Sequence, residues 1–208
     1  MPLIRRGPPG APDSQPKETD PAAGLFAADP ATRWKAARAL GEDPSSVPQL
    51  SKALATESSP QVREAIFTSF VLIRTDASAR AAAEFMRSED ASLRSGALDA
   101  LAAMPELSQA LLPALLADMD PDVRILSCEL ARSMTPEAAT RVLVFLLQSE
   151  TEVNVCGAAV DVLAELGTPD AVAPMLACKS RFPDEAFLGF AIDDAVERAG
   201  AGRLDRNG

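Results

Sequence analysis

A short motif recurs along this chain with a period of about 30 residues, and this period restricts the fold more than any other feature. Four copies end in an arginine, with the arginines spaced 30, 31 and 30 residues apart: Asp29-Pro-Ala-Thr-Arg33, Ser59-Pro-Gln-Val-Arg63, Asp90-Ala-Ser-Leu-Arg94 and Asp120-Pro-Asp-Val-Arg124. A fifth, weaker copy ends at Asn154, and a half-copy begins near Pro183. A period of this length is typical of a solenoid, in which one small unit is stacked repeatedly.

Each copy has the features of a helix start. Asp or Ser caps the free amides of a first turn, and Pro is well tolerated at the first helical position. A second ladder of apolar residues is spaced by 31, 30 and 30 residues and falls near the end of a second helix: Leu54, Phe85, Leu115 and Phe145. The repeating unit is therefore helix, turn, helix. The sequence predicts an all-α fold, an α-solenoid of about five repeats.

Composition agrees with a helical chain and sets the expected boundaries. There are 39 alanines and 24 leucines among 208 residues, whereas aromatic residues make up only 4%. Strands favour β-branched and aromatic residues, so a β fold is disfavoured. Six of the 17 prolines lie in the first 21 residues. We predict a disordered arm over residues 1–21, a solenoid over 22–200 and a disordered tail over 201–208.

The motif, followed by small residues and a second apolar helix, resembles the HEAT-like repeat family. Its short period is similar to that of the repeats found in phycobilisome lyases. The resemblance implies that the motif arginines Arg33, Arg63, Arg94 and Arg124 are structural and brace neighbouring repeats, with Asp29, Asp90 and Asp120 as their partners. Asn154 departs from the pattern, so the brace is in doubt in the fifth repeat. The resemblance specifies a fold that hosts many unrelated functions.

The residue types needed for common catalytic chemistry are missing. The chain has no histidine, which removes the commonest general base and most zinc sites. Cys128, Cys156 and Cys178 have mostly apolar or small neighbours, so we interpret them as reduced core residues. No glycine-rich phosphate loop is present in the helical region. We therefore expect no enzymatic activity, no cofactor and no metal.

Charge is negative and unevenly distributed. The net charge is −10, with −2 over residues 29–117 and −9 over residues 118–199. Such a surface repels nucleic-acid phosphates and anionic lipids, so we expect neither as a partner. The acidic half either attracts a basic patch on a partner or only keeps the chain soluble. The first residues lack the apolar stretch of a secretory signal, and we expect a cytoplasmic protein.

The second helices of such solenoids usually line the concave face, where a partner would bind. If the apolar ladder points inward, the outward arc changes from polar to apolar along the groove. The candidate partner-binding residues are Gln49, Lys52, Arg80, Glu84, Arg87, Ala114, Ala117, Leu143, Val144 and Leu147. A helical phase shifted by one residue would instead bury the apolar members.

Two functions fit these features. One is a non-enzymatic scaffold or adaptor that binds a peptide or helix of another protein in the groove. The alternative is an accessory factor similar to a phycobilin lyase subunit, which acts on a cofactor or chromophore held by a partner.

Overall fold

The computed structural model describes residues 21–201, which form α-helices and short 3-10 turns and contain no β-strand. The predicted arm and tail lie outside the described residues, apart from Pro21 and Ala201, the first and last helical residues. The α-helices in this range are α1 (Pro21–Gly24), α2 (Pro30–Ala39), α3 (Val47–Leu54), α4 (Pro60–Ile73), α5 (Asp76–Glu84), α6 (Ala91–Ala102), α7 (Pro105–Leu115), α8 (Pro121–Leu130), α9 (Pro136–Ser149), α10 (Val153–Leu166), α11 (Val172–Arg181) and α12 (Ala186–Ala201).

The helices alternate between two layers. The first helices of the repeats, α2, α4, α6, α8, α10 and α12, pack in sequence against one another. The second helices α3, α5, α7, α9 and α11 form the other layer, in which α7 and α9 are the neighbours that pack least closely. Five helix pairs and a terminal half-repeat result. The predicted all-α solenoid is confirmed.

Helix starts coincide with the motif because its first residue is a cap. Asp29 accepts the amide of Thr32 at 3.0 Å, and Asp120 accepts that of Asp122 at 2.9 Å. Asp90 does the same for Ser92 at 2.8 Å. These side chains satisfy amides that have no partner within the helix. Proline follows the cap at the start of α2, α4 and α8.

The core lies between the two layers. Its largest fully buried side chains include Leu50, Ile66, Phe70, Leu101, Leu112, Leu147 and Leu163. Cys128, Cys156 and Cys178 are buried free thiols. No side-chain polar atom buried within residues 21–201 lacks a hydrogen-bond partner. Stacking the repeats therefore buries a continuous apolar interior that no single helix pair could form.

The prediction that the apolar ladder points into the core is correct for three of its residues and wrong for the fourth. Leu54 and Leu115 are buried, and Phe85 is partly buried with its ring edge-to-face against Phe67. Phe145, in contrast, is 76% exposed. The caps of α8 and α10, Asp120 and Glu152, are 32 residues apart, so the fourth repeat is longer than the others. The position five residues before the next cap, which the other ladder residues occupy, therefore falls at the buried Leu147 and not at Phe145.

Candidate partner-binding groove

Two motif arginines make the same set of contacts three repeats apart. The guanidinium of Arg33 donates to both carboxylate oxygens of Glu57 at 2.7 and 2.8 Å. Arg124 donates in the same way to Glu150 at 2.8 and 3.0 Å. Each arginine also donates to backbone carbonyls of the loop before its own helix. The guanidinium thus joins the start of its own repeat to the loop that leads into the next one.

The partners differ from those that the resemblance implied. Arg63 pairs with Asp90 at 2.8 Å as expected, but Asp29 and Asp120 cap helices and form no ion pair with Arg33 or Arg124. Arg94 donates to the carbonyls of Ser88 and Glu89. The carboxylate partners of Arg33, Arg63 and Arg124 thus lie at the entrance to the next repeat and are not the caps of the arginines' own helices. A glutamate two residues before the next cap is the signal that identifies Glu57 and Glu150.

The two buried glutamates are held ionised by their surroundings. The Arg33 hydrogen bond lowers the pKa of Glu57 against the opposing effect of burial. Burial raises the pKa of Glu150, but hydrogen bonds from Arg124 and from the Glu152 amide outweigh it and leave the pKa below its usual value. A carboxylate that accepts several N–H groups is stabilised in its charged form. These arginine–glutamate pairs are part of the repeat architecture.

The fifth repeat carries a cysteine where the others carry the arginine. The four arginines each lie four residues after the cap of their helix, and α10 is capped at Glu152. The matching position is therefore Cys156, and the sequence-based alignment with Asn154 is wrong. The longer spacing before α10 causes the error.

The outward residues of the first three repeats are exposed, as the sequence predicts: Gln49, Lys52, Arg80, Glu84, Arg87, Ala114 and Ala117. Arg80 pairs with Asp76 at 2.7 Å, and Arg87 pairs with Asp118 and with Glu84. The charges of the second repeat are thus largely neutralised within the protein. The two candidate residues of the third repeat, Ala114 and Ala117, are small and apolar.

The assignment of Leu143 and Leu147 to the exposed arc is wrong. Both side chains are fully buried, and Val144 is half-buried. The core side of α9 is formed by Ala139, Leu143, Leu146 and Leu147, which recur at helical spacing. Phe145 and Arg141 consequently face outward on α9. The apolar surface predicted at this repeat does exist, but Phe145 provides it.

A groove of about 950 Å³ opens where α7 and α9 diverge. Its apolar lining includes Pro113 and Ala117 from the end of α7, and Val144 and Phe145 from α9. The groove is open because the side chains at the end of α7 are small, and the Phe145 ring forms one of its sides. Charged groups at its edge are Asp118, Glu137, Arg141 and Asp170. The arrangement offers apolar contact bordered by charges of both signs.

The described residues offer neither a metal-binding cluster nor a membrane-spanning helix. Within residues 21–201, no cluster of three or more cysteine or carboxylate side chains is placed to hold a metal ion. Among the helices of the same region, none combines the length and apolar character that crossing a membrane requires. The α7–α9 groove, with its exposed phenylalanine, is the candidate site for a partner.

Solved structures with a similar helical-repeat arrangement include engineered and natural proteins. One engineered protein is 20% identical, covering 88% of this chain and 96% of its own, with a TM-score of 0.41. A designed armadillo repeat protein in complex with the peptide (KR)4 is 16% identical over 86% and 98%, with a TM-score of 0.43. The complex of CpcE and CpcF of phycocyanin lyase from Nostoc sp. PCC7120 is 16% identical over 95% and 100%, with a TM-score of 0.38. Similarity at this level says nothing about function.

Sequence comparison identifies the family. No curated protein matches this sequence significantly. The family model for HEAT repeats, however, matches residues 22–102 and 108–185, which together are more than half of the chain. The helix pairs, their capped starts and the bracing arginines agree with this match. The chain belongs to the HEAT repeat family.

Proposed function

We propose that this protein is a non-enzymatic scaffold that binds a peptide or helix of another protein in the α7–α9 groove. The observation that carries the proposal is the 76% exposure of Phe145 beside the small side chains of α7. Burying a phenylalanine side chain contributes about 1.5–3 kcal/mol, so this ring is a strong anchor for a partner. Exposed apolar patches of this kind commonly mark interaction sites.

The shape of the groove suits a helical partner. Pro113 of α7 and Ala117, just beyond the end of α7, form a low surface, and the Phe145 ring stands beside it on α9. A helix laid along the groove would place a large apolar side chain over this surface and contact the ring. Arg141 and Asp170 at the edge offer hydrogen bonds to polar groups on either side of that contact.

The non-enzymatic part of the proposal rests on the residues available. The chain has no histidine, and nothing in the groove combines a nucleophile with a base. Cys128 is buried with its pKa raised to about 12, mainly by desolvation, so its thiol is unreactive near neutral pH. These features support a binding role.

A second candidate is an accessory factor that acts on a chromophore or cofactor held by a partner. One observation favours it: the volume of about 950 Å³ lies in the range of small-molecule sites. Purification of the protein with a coloured ligand in this groove would favour the chromophore role over peptide binding.

The scaffold proposal is tested with two matched variants. Phe145→Asp places a charge in the groove, and Leu72→Asp places the same charge on α4, where Leu72 is 60% exposed. Both sites are exposed, so both variants should keep the melting temperature of the native protein. Partners are captured by affinity purification, identified by mass spectrometry and titrated against each purified variant.

We expect Phe145→Asp to weaken binding of a captured partner at least tenfold, because the ring contact is lost and a charge is desolvated. Leu72→Asp should bind like the native protein. Equal affinity of Phe145→Asp and the native protein for every captured partner would overturn the proposal.

A further inference from the structure

The cysteine that replaces the motif arginine in the fifth repeat has a second thiol beside it. Cys156 lies with its sulfur 3.9 Å from the carbonyl oxygen of Glu150. In the second repeat, the equivalent carbonyl of Glu57 accepts Nε of Arg63 at 2.7 Å. The short cysteine side chain occupies only part of the arginine site, which leaves room for groups from the next helix.

Arg181 of α11 fills the remaining part of this site. Its Nη2 lies 3.2 Å from the same Glu150 oxygen and also donates to Leu147, while Nη1 donates to the carbonyl of Gln148 at 2.9 Å. A guanidinium is therefore retained in the fifth repeat, but it comes from the second helix. It is held within the same cluster as the Cys156 sulfur.

Cys178 precedes Arg181 by one turn of α11, so it lies on the same side of that helix as the guanidinium that contacts Glu150, and its thiol interacts with that of Cys156. Both cysteines are fully buried free thiols. The hydrogen bond from Cys156 and the nearby Arg181 guanidinium lower the pKa of Cys178 to about 7, whereas the pKa of Cys156 is raised. The pKa of Cys128, one repeat earlier, is raised to about 12, mainly by burial.

We propose that Cys156 and Cys178 form a redox-active dithiol that closes to a disulfide between α10 and α11. The Cys156 sulfur and the Arg181 guanidinium meet at the Glu150 carbonyl, and Cys178 lies one turn before Arg181 on α11, so the two cysteines belong to one buried cluster. The cation of Arg181 favours a thiolate in that cluster. The proposal is independent of partner binding in the α7–α9 groove. It assigns a chemical role to the one repeat that departs from the arginine motif.

Hydrogen peroxide is the oxidant that fits a buried pair, because it is close to water in size and needs only local opening of the last complete repeat. The Cys178 thiolate attacks one peroxide oxygen, the O–O bond breaks, and hydroxide leaves to take up a proton as water. The Cys156 thiol then attacks the sulfenic sulfur, and the S–O bond breaks to release a second water. Two thiols and one peroxide thus give one disulfide and two waters.

The experiment treats the full native chain with hydrogen peroxide, blocks the remaining thiols and maps the peptides by mass spectrometry without reduction. We expect a linked pair of peptides containing Cys156 and Cys178, with the loss of two hydrogen atoms, and no monomer–dimer shift on a gel. The link should be absent from Cys156→Ser and Cys178→Ser and retained in Cys128→Ser. Circular dichroism before treatment establishes that each variant is folded.

A second measurement follows stability. The two cysteines are 22 positions apart and the disulfide closes the loop between them, so the melting temperature should rise by about 5–10 °C on oxidation and return after reduction. The proposal is overturned if both thiols stay reduced, if Cys178 proceeds to the sulfinic acid without forming the link, or if the disulfides formed join two chains or involve Cys128.

Discussion

Arg124 and Glu150 are joined by two parallel hydrogen bonds, although they lie in different segments separated by the whole of α9. The Nε–Oε2 distance is 2.8 Å and the Nη2–Oε1 distance is 3.0 Å, and the glutamate side chain is only 4% exposed. The same carboxylate accepts the amides of Thr151 and Glu152. One ion pair therefore orders the start of the fourth repeat and the entrance to the fifth.

Replacing Arg124 by Met should be strongly destabilising, because it leaves a buried carboxylate without its cation. We expect a loss of about 3 kcal/mol in the free energy of unfolding, measured by urea denaturation. Arg94→Met is the matched control. Arg94 donates only to backbone carbonyls among the described residues, so its loss should cost about 1 kcal/mol. Equal losses in the two variants would contradict a special role for the carboxylate pair.

The two buried glutamates predict a stability that falls in acid. Arginine hydrogen bonds hold the pKa values of Glu57 and Glu150 below their ordinary value of 4.5, so the unfolded chain binds protons more readily than the folded one. Their stabilising contribution is complete above pH 4.5 and is lost as the pH falls through their folded pKa values. Urea midpoints measured from pH 7 to pH 3 should show this decline.

The double variant Glu57→Gln/Glu150→Gln should be less stable at pH 7 and should depend less on pH than the native protein. Glu64→Gln, at an exposed position on α4, is the control and should leave the pH profile unchanged. A native-like acid decline in the double variant would assign the pH dependence to other carboxylates.

The architecture follows from the sequence because the repeated motif contains its own local signals. Asp29, Asp90 and Asp120 each cap a helix through a contact within a few residues, so no knowledge of packing is needed to locate them. Proline after the cap strengthens the signal. The starts of α2, α4, α6 and α8 could therefore be predicted from the sequence, whereas that of α10 could not.

The groove could be predicted only in part, because it depends on helical phase. A shift of two residues in the spacing before α10 leaves the period recognisable but moves the arginine position from Asn154 to Cys156. The same two residues displace the core positions on α9, so that Leu143 and Leu147 are buried and Phe145 is exposed. A rotation of about 100° per residue means that a one-residue error replaces an exposed side chain by a buried one.

On α9 Leu143 is buried and Phe145 is exposed, so truncation of the two side chains should have very unequal effects on stability. Leu143→Ala should lower the free energy of unfolding by about 2–5 kcal/mol, since it leaves a cavity in the core. Phe145→Ala should change it by no more than about 0.5 kcal/mol, since the ring contributes little to the folded core. Urea denaturation of the two variants measures both. A larger loss for Phe145→Ala than for Leu143→Ala would reverse the assignment of faces on α9.

Two helical glycines provide a last pair of matched variants. Gly157, in α10, has nothing within 4 Å of the position that a Cβ would take. Gly157→Ala should therefore stabilise the protein by about 0.5–1 kcal/mol, because alanine loses less backbone entropy on folding. Gly96, in α6, is different. Its Cβ would lie 2.4 Å from a ring carbon of Phe67.

Phe67 has little freedom to move away from that Cβ. Its ring packs edge-to-face against Phe70 and Phe85, with centroids 6.3 and 6.1 Å away. Gly96→Ala should consequently lower the free energy of unfolding by about 1–3 kcal/mol, despite the better helix propensity of alanine. The melting temperatures of the two variants should thus move in opposite directions. Stabilisation by both substitutions would mean that Phe67 can be displaced without cost, and that α4 and α6 do not need the close approach that glycine allows.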